Sequence, residues 1–270
     1  MSPRKIIALV ALSILMIVFV VVACNRRLTT TCYNIDALGF ATPLKFAIIT
    51  DLHSTEYGEN MDELLNAVTS ENPDIVLLVG DIFDHHYNND PSWILVKSLS
   101  KQYPCYYVTG NHEMVHPQLD SIISELQSSN VYVLQASSSY ITHEDKTIRI
   151  CGVDDNLAKD YETQLSKVST EIADADYHIL LSHRPNIIEL YDMSGADLVI
   201  SGHAHGGQWS IPGILPNGLY APNQGLFPKY TNGLYQFDDW NLLVSRGLDK
   251  QSVEYPRIFN RPELVILTLQ

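Results

Sequence analysis

Residues 74–84 read DIVLLVGDIFD. An unbroken apolar run, Ile75–Val79, stops at Gly80 and is followed at once by Asp81. A run this short, rich in branched side chains and without polar alternation, predicts a strand buried on both faces, as in a sheet covered by helices. Four more stretches have the same character: LKFAIITD (44–51), PCYYVTGN (104–111), YHILLSH (177–183) and DLVISGH (197–203). Helical patterns separate the first three, MDELLNAVTS (61–70) and PSWILVKSLSKQ (91–102), the latter with Pro91 near its start. PQLDSIISELQ (117–127) follows the third. Strand–helix–strand alternation implies parallel pairing through right-handed crossovers. SSYITHEDKTIRIC (138–151) reads instead as a hairpin turning at HEDK, and from about residue 208 the pattern becomes all-β: QWSI, NGLYQFD, DWNLLVSR and ELVILTL. The sum predicts a four-layer α/β/β/α sandwich, two mixed sheets inside and helices outside.

The N-terminus breaks this pattern. MSPRK is basic, and Ile6–Cys24 is a run of 19 residues in which Ser13 is the one clearly polar member. At 1.5 Å per residue it is just long enough to cross a bilayer as a helix. Residues 1–27 are therefore read as an uncleaved membrane anchor, or alternatively as a signal segment, with the catalytic part outside the cytoplasm. VVAC (21–24) offers a further alternative, a lipoprotein attached through Cys24. LTTTCYNI (28–35) predicts a first strand or extended lead-in within 28–43, and 44–270 the main domain. The first 27 residues hold four of the 17 Lys+Arg and no acid, so the remainder carries 13 bases against 31 acids. Such a body repels a phosphate backbone, which argues against non-specific nucleic-acid binding. Nothing points to an obligate protein partner. None of the four cysteines has C-x-x-C spacing, and Cys105 and Cys151 fall in apolar runs as small buried hydrophobes.

What ends each apolar run decides the chemistry. The runs stop at Asp51 (with His53 two further on), Asp81, Asn111 (then His112), His183 and His203 (then His205). A lone Asp at a strand end is usually a turn or helix cap. Five in succession call for another explanation. Parallel strands present their C-terminal ends on one edge, where open α/β sheets bind ligands. Gly80, Gly110 and Gly202 each precede one of these residues, where a missing Cβ lets a neighbour approach. Asp and His mixed with one Asn carbonyl suit first-row divalent ions such as Mn, Fe or Zn. Seven candidate ligands are too many for one tetrahedral ion and suit two ions sharing a carboxylate. Such a pair would lower the pKa of a bridging water and clamp phosphoryl oxygens. His112 is a candidate general acid, with Asp84 holding its imidazole. Arg246, Arg184 and His85 are weaker candidates for contact with substrate, each as readily a solvated surface residue. If the backbone stays extended past Gly202, His203 and His205 share a side, each facing its own ion.

DLH (51–53), GDIFD (80–84), GNHE (110–113), His183 and GHAH (202–205) resemble, in order, the five blocks of calcineurin-like metallophosphoesterases, over about residues 44–270. The resemblance implies that Asp51, His53, Asp81 and His205 hold one metal, and Asp81, Asn111, His183 and His203 the second, with Asp81 bridging. It implies a catalytic role for His112 and a supporting one for Asp84. GHAHGGQ, VSRGL and the closing RPELVILTL resemble a bacterial membrane-associated branch that includes cell-wall-associated phosphoesterases and proteins similar to UDP-2,3-diacylglucosamine pyrophosphatases of lipid A synthesis. The chain departs from the protein-phosphatase branch, which has Arg where His85 stands, and has Asp249 where glycine is common after SRGL. The expectation is a di-metal hydrolase cleaving a phosphodiester or pyrophosphate bond by attack of metal-activated hydroxide. Its substrate would be a phosphorylated small molecule or lipid-linked species, an envelope lipid or cell-wall precursor. The competing expectations are a metal-stabilised envelope binding protein without turnover and a nuclease of the same superfamily.

Overall fold

The computed structural model describes residues 2–170, 175–211, 213–250 and 256–270; the rest of the predicted 1–27 and 44–270 segments falls outside the described residues. Among the described residues the strands are β1 (Thr29–Ile35), β2 (Leu44–Ile49), β3 (Ile75–Val79), β4 (Cys105–Val108), β5 (Val131–Val133), β6 (Ser137–His143), β7 (Lys146–Gly152), β8 (Tyr177–Leu181), β9 (Leu198–Ser201), β10 (Tyr220–Ala221), β11 (Gly225–Leu226), β12 (Gly233–Gln236), β13 (Asn241–Val244) and β14 (Glu263–Leu269). One six-stranded sheet runs β1-β14-β2-β3-β4-β5 and the other β12-β13-β9-β8-β7-β6, while β10 and β11 form a separate hairpin. β2, β3, β4 and β5 are parallel neighbours, as are β7, β8, β9 and β13. β6 and β7 pair antiparallel across the turn at Glu144 and Asp145.

The absence of polar alternation in the central strands has a direct cause: both of their faces are covered. Phe46, Ile48, Leu77 and Val79 of the first sheet pack against Ile150, Ile179, Leu181 and Ile200 of the second. Their neighbours Ala47, Ile49, Val76 and Leu78 face outward onto Leu64 and Val68 of helix Asp62–Glu71 and onto Leu95 and Leu99 of helix Asp90–Leu99. On the far side, Leu180, Val199 and Leu242 meet Leu165 and Tyr191 from helices Tyr161–Thr170 and Ile188–Asp192. With side chains alternating every residue, each strand feeds two cores, and the four layers follow.

The C-terminal region departs from the sequence expectation in one place, QWSI. ELVILTL forms β14 as expected and lies in the first sheet, parallel to β1 over seven residues and antiparallel to β2. Its two flanks explain why it is buried almost throughout. QWSI forms no strand. Gln208 takes a left-handed φ of 59°, and the chain curls back with Ile211 N–H donating to Leu215 O at 3.2 Å, so only isolated bridges form.

Helix Pro3–Ala23 stands apart from both sheets. Pro3 starts it, in the first turn where a missing N–H costs nothing. An 18-residue window within it has a mean hydropathy of 3.3, and it is the one described helix long and apolar enough to cross a membrane. Ala23 alone among its residues is buried. The Phe19 ring meets the Phe259 ring edge-on at 5.5 Å, and Phe259 N–H donates to Ala23 O at 2.7 Å.

Candidate metal centre

The strand ends converge. Asp51 follows β2, Asp81 follows β3 and Asn111 follows β4, while His183 follows β8 and His203 follows β9, so the rim draws on both sheets. Two donor groups stand side by side: Asp51, His53 and His205, and Asp81, His183 and His203, the atoms of each group lying within 4.8 Å of one another. Asp81 Oδ2 lies between them, 3.0 Å from His183 Nε2 and 3.7 Å from His53 Nε2. On the other side Asp51 Oδ1 is 3.7 Å from His205 Nε2 and 3.8 Å from His183 Nε2. Asn111 Oδ1 is buried without a hydrogen-bond partner, and so are Asp51 Oδ2, His53 Nε2 and His183 Nε2. Four orphaned polar atoms at one spot are costly unless something pairs with them.

The outer ring nitrogens show which atoms point inward. His53 Nδ1–H donates to Asp84 Oδ2 at 2.8 Å, and His183 Nδ1–H to Val79 O at 2.9 Å. His203 Nε2–H donates to Asn223 Oδ1 at 2.7 Å. Each bond fixes a tautomer and leaves the other nitrogen's lone pair facing the centre, the arrangement a metal-binding histidine requires. Burial, with the neighbouring His183 and Arg184, lowers His203 to about 3, and burial with His53 lowers His205 far below the usual histidine range, so both stay neutral. Burial alone would lower His53 and His183 as well. The Asp84 hydrogen bond and Asp81 push His53 up to about 9 instead, and Asp81 and Asp51 push His183 to about 10. Burial raises Asp51, whereas His183 and His53 overcome burial at Asp81 and hold it far below the carboxylate range. These donors and their free lone pairs fit a pair of divalent cations, which would replace the protons on His53 and His183.

Backbone geometry serves the same end. Asp51, His53, Asp81, His203 and His205 all have left-handed φ, between 45° and 65°. Such conformations cost non-glycine residues energy and gather where function demands them. They also correct the expectation of an extended GHAH: the chain turns at each histidine, with Ala204 N–H on Gly202 O at 2.7 Å, and this sends His203 and His205 to different donor groups. A Cβ on Gly202 would collide with Asp51 Oδ2, and one on Gly110 with Asp81 Oδ1, so these glycines admit the carboxylates. Gly247, which carried no signal beforehand, does likewise beneath Asp51 Cβ, at 2.6 Å.

Asp84 Oδ2 also lies 2.8 Å from His112 Nδ1, so one carboxylate serves two imidazoles. His112 is 27% exposed on its side chain, against 8% for His53. The His85 ring lies beside His112, tilted by 48°, with ring centroids 4.9 Å apart. A polar cleft of ≈ 410 Å³ opens off His53 toward Tyr87, Asn88 and Lys250. The two candidate arginines are not solvated surface residues. Arg184 is buried, bidentate to Asp155 at 2.7 and 2.9 Å, and donates to Asn223 Oδ1 at 2.7 Å. Arg246 turns to Glu263 Oε1 at 2.8 Å and to Thr31. Both are anchored because a buried acid lies within reach.

Two residues without an assigned role shape the site. Glu113, last of GNHE, is fully buried and accepts N–H bonds from Asp81, Ile82, Phe83 and Gly110 at 2.7–2.9 Å. It clamps the loops after β3 and β4 together. Burial and the Asp81 charge push its carboxyl up to about 7 against those four donors. Asn223 links His203 to Arg184. Its only sequence signal is an Asn in a Pro-Asn turn.

Comparison with known proteins agrees with this geometry. Residues 44–207 match the family model for calcineurin-like phosphoesterases. The chain is 28% identical, over 98% of its length and 70% of the relative's, to an uncharacterized metallophosphoesterase of Campylobacter jejuni. It is 26% identical to the phosphodiesterase YaeI of Escherichia coli, over 85% of this chain and 83% of that one. A transmembrane protein with a metallophosphoesterase domain from Danio rerio is 27% identical over 84% of this chain and 53% of its own length. A match spanning more than half of the chain, from β2 to the paired histidines, settles the assignment: the chain belongs to the calcineurin-like phosphoesterase family and is a phosphoester hydrolase.

Proposed function

We propose that the chain is a membrane-anchored di-metal phosphoesterase that cleaves a phosphodiester or pyrophosphate bond in an envelope lipid or cell-wall precursor. The carrying observation is the pair of donor groups sharing Asp81. Asp51, His53, Asp81 and His205 would hold one ion, and Asp81, Asn111, His183 and His203 the other, the ions being Mn, Fe or Zn. Two such ions would supply the charge that draws in a phosphate and the acidity that makes water a nucleophile at neutral pH. His112 hands a proton to the leaving oxygen, and Asp84 keeps its ring turned with Nε2 toward the substrate. His85 stands beside His112, and Arg184 reaches His203 through Asn223.

Residues 1–27 serve as the anchor in this reading, with residues 28–43 leading into a catalytic domain at 44–270. Supporting it are the exposed apolar helix Pro3–Ala23 and its attachment at Phe259. The Danio rerio relative's description as a transmembrane protein points the same way. The test uses the purified full chain with Mn2+ and bis-p-nitrophenyl phosphate. Hydrolysis lost in Asp81→Ala supports the reading; no hydrolysis by the wild type, or full activity in Asp81→Ala, overturns it.

A further inference from the structure

We propose that Gln208, Trp209, Leu219, Tyr220 and Leu226, in the segment after Gly207, form a hydrocarbon-binding subsite, which takes an alkyl or acyl chain of the phosphorylated substrate and faces the bilayer entered by helix Pro3–Ala23. The inference rests on the phosphoesterase reading and names the substrate class as an amphiphilic phosphate ester.

The segment is hung directly on the metal-ligand motif. Gly207 O accepts the N–H of Trp209 at 2.8 Å and of Leu219 at 2.9 Å, so the chain leaves the centre and returns to it. β10 and β11 then form a hairpin whose connection carries Asn223, the partner of His203. The same hairpin helps to wall a cavity of ≈ 170 Å³ lined by Gln208, Trp209, Leu219, Tyr220 and Leu226. One element thus touches the reacting centre and the apolar cavity together.

The cavity's surroundings are apolar and open. Trp209 and Ile211 are each 38% exposed, Leu226 66%, Phe227 69% and Ile214 74%. Trp209 and Leu226 line the cavity itself, and Ile211, Ile214 and Phe227 lie on the same segment; several large exposed apolar side chains on one short segment suit a binding surface. Of the lining residues, Gln208 is 95% buried and its Oε1 has no hydrogen-bond partner. An unpaired acceptor in an apolar cavity is costly on its own and pairs readily with an N–H or O–H of a ligand. An amide or hydroxyl where a hydrocarbon chain joins its polar head has that chemistry.

A short backbone path joins the cavity to the membrane helix. Ile258 N–H donates to Gln208 O at 3.1 Å and Ser210 N–H to Ile258 O at 2.9 Å, and the next residue, Phe259, is bonded to Ala23 at the helix end. Arg26 and Arg27 follow the helix, and Arg261 donates to Arg27 O and Leu28 O. Cations clustered where a helix leaves the bilayer suit anionic headgroups. The occupant implied by this placement is a lipid from the same bilayer.

The experiment uses the full chain with Mn2+ in nanodiscs and p-nitrophenyl methyl, butyl and octyl phosphodiesters. The expected kcat/KM rises roughly tenfold from methyl to octyl, mainly through KM, and this ratio falls to about one in Leu226→Asp. Tyr140→Ser, on the exposed edge strand β6, keeps the ratio. A second readout needs no turnover. Bromine-labelled acyl chains should quench the Trp209 fluorescence of metal-free protein, taken as the difference from Trp209→Phe. A flat wild-type series, or an unchanged ratio in Leu226→Asp, overturns the subsite. Failure to cleave any ester counts against the hydrolase reading instead; the quenching then decides the subsite, and an unquenched Trp209 overturns it.

Discussion

The loop after β3 and the segment after Gly207 border the same centre and are held in opposite ways. In the first, Asp81, Ile82, Phe83 and Asp84 are all buried, and three of their N–H groups and Gly110's end on one carboxylate. In the second, large apolar side chains face outward and the backbone is fastened at a few points, chiefly Gly207, Ile258 and Leu219. Chemistry that needs donors placed to a few tenths of an ångström is built into the frame before any substrate arrives. Selection among substrates, in the reading proposed above, would sit on a surface whose residues can change without disturbing the frame.

Perturbing the two regions should therefore give unlike results. The largest effect is expected at the first. Glu113→Ala strands four buried N–H donors at roughly 1–3 kcal/mol each, partly relieved by water, for a net loss of roughly 3–5 kcal/mol. Thermal melting should show a drop of roughly 10 °C together with lost metal. A melting point within 2 °C or so of wild type would show that the clamp is dispensable. Asp84→Asn comes next. It should lower kcat about 100-fold through His112 and weaken metal binding about 10-fold through His53. His112→Ala should lower kcat alone, so equal metal losses in both variants would break the distinction. Gly202→Ala should cost roughly 1–3 kcal/mol in denaturant titration as Asp51 is forced aside. The smallest effect belongs to the second region: Phe227→Ser, at an exposed position, should move stability by less than about 0.5 kcal/mol. A large loss there would mean that the segment is part of the frame.

The strand-end donors were legible because each closes an apolar run, directly after a glycine at Asp81, Asn111 and His203 and after Thr50 and Ser182 at Asp51 and His183. The two sheets and their outer helices were legible for a similar reason, since the unbroken apolar runs of the central strands β2, β3, β4, β8 and β9 report two covered faces. Glu113 was in view but unread: its partners are backbone groups about 30 residues earlier, and no side-chain pattern encodes them. Arg184 looked like a surface residue because Asp155, which buries it, lies on a different loop. The turn that sends His203 and His205 to different donor groups depends on left-handed backbone at both, which sequence spacing alone misreads as extended strand. β14 was recognisable as a strand, but its return to the first sheet between β1 and β2 is a long-range pairing with no local mark.

The account centres on two ions sharing Asp81, and metal counting tests it most directly. Full-length protein equilibrated with Mn2+, freed of excess metal and assayed by elemental analysis, should carry two ions per chain, and Asp81→Ala distinctly fewer. One ion or none in the wild type, or two retained without Asp81, would contradict it.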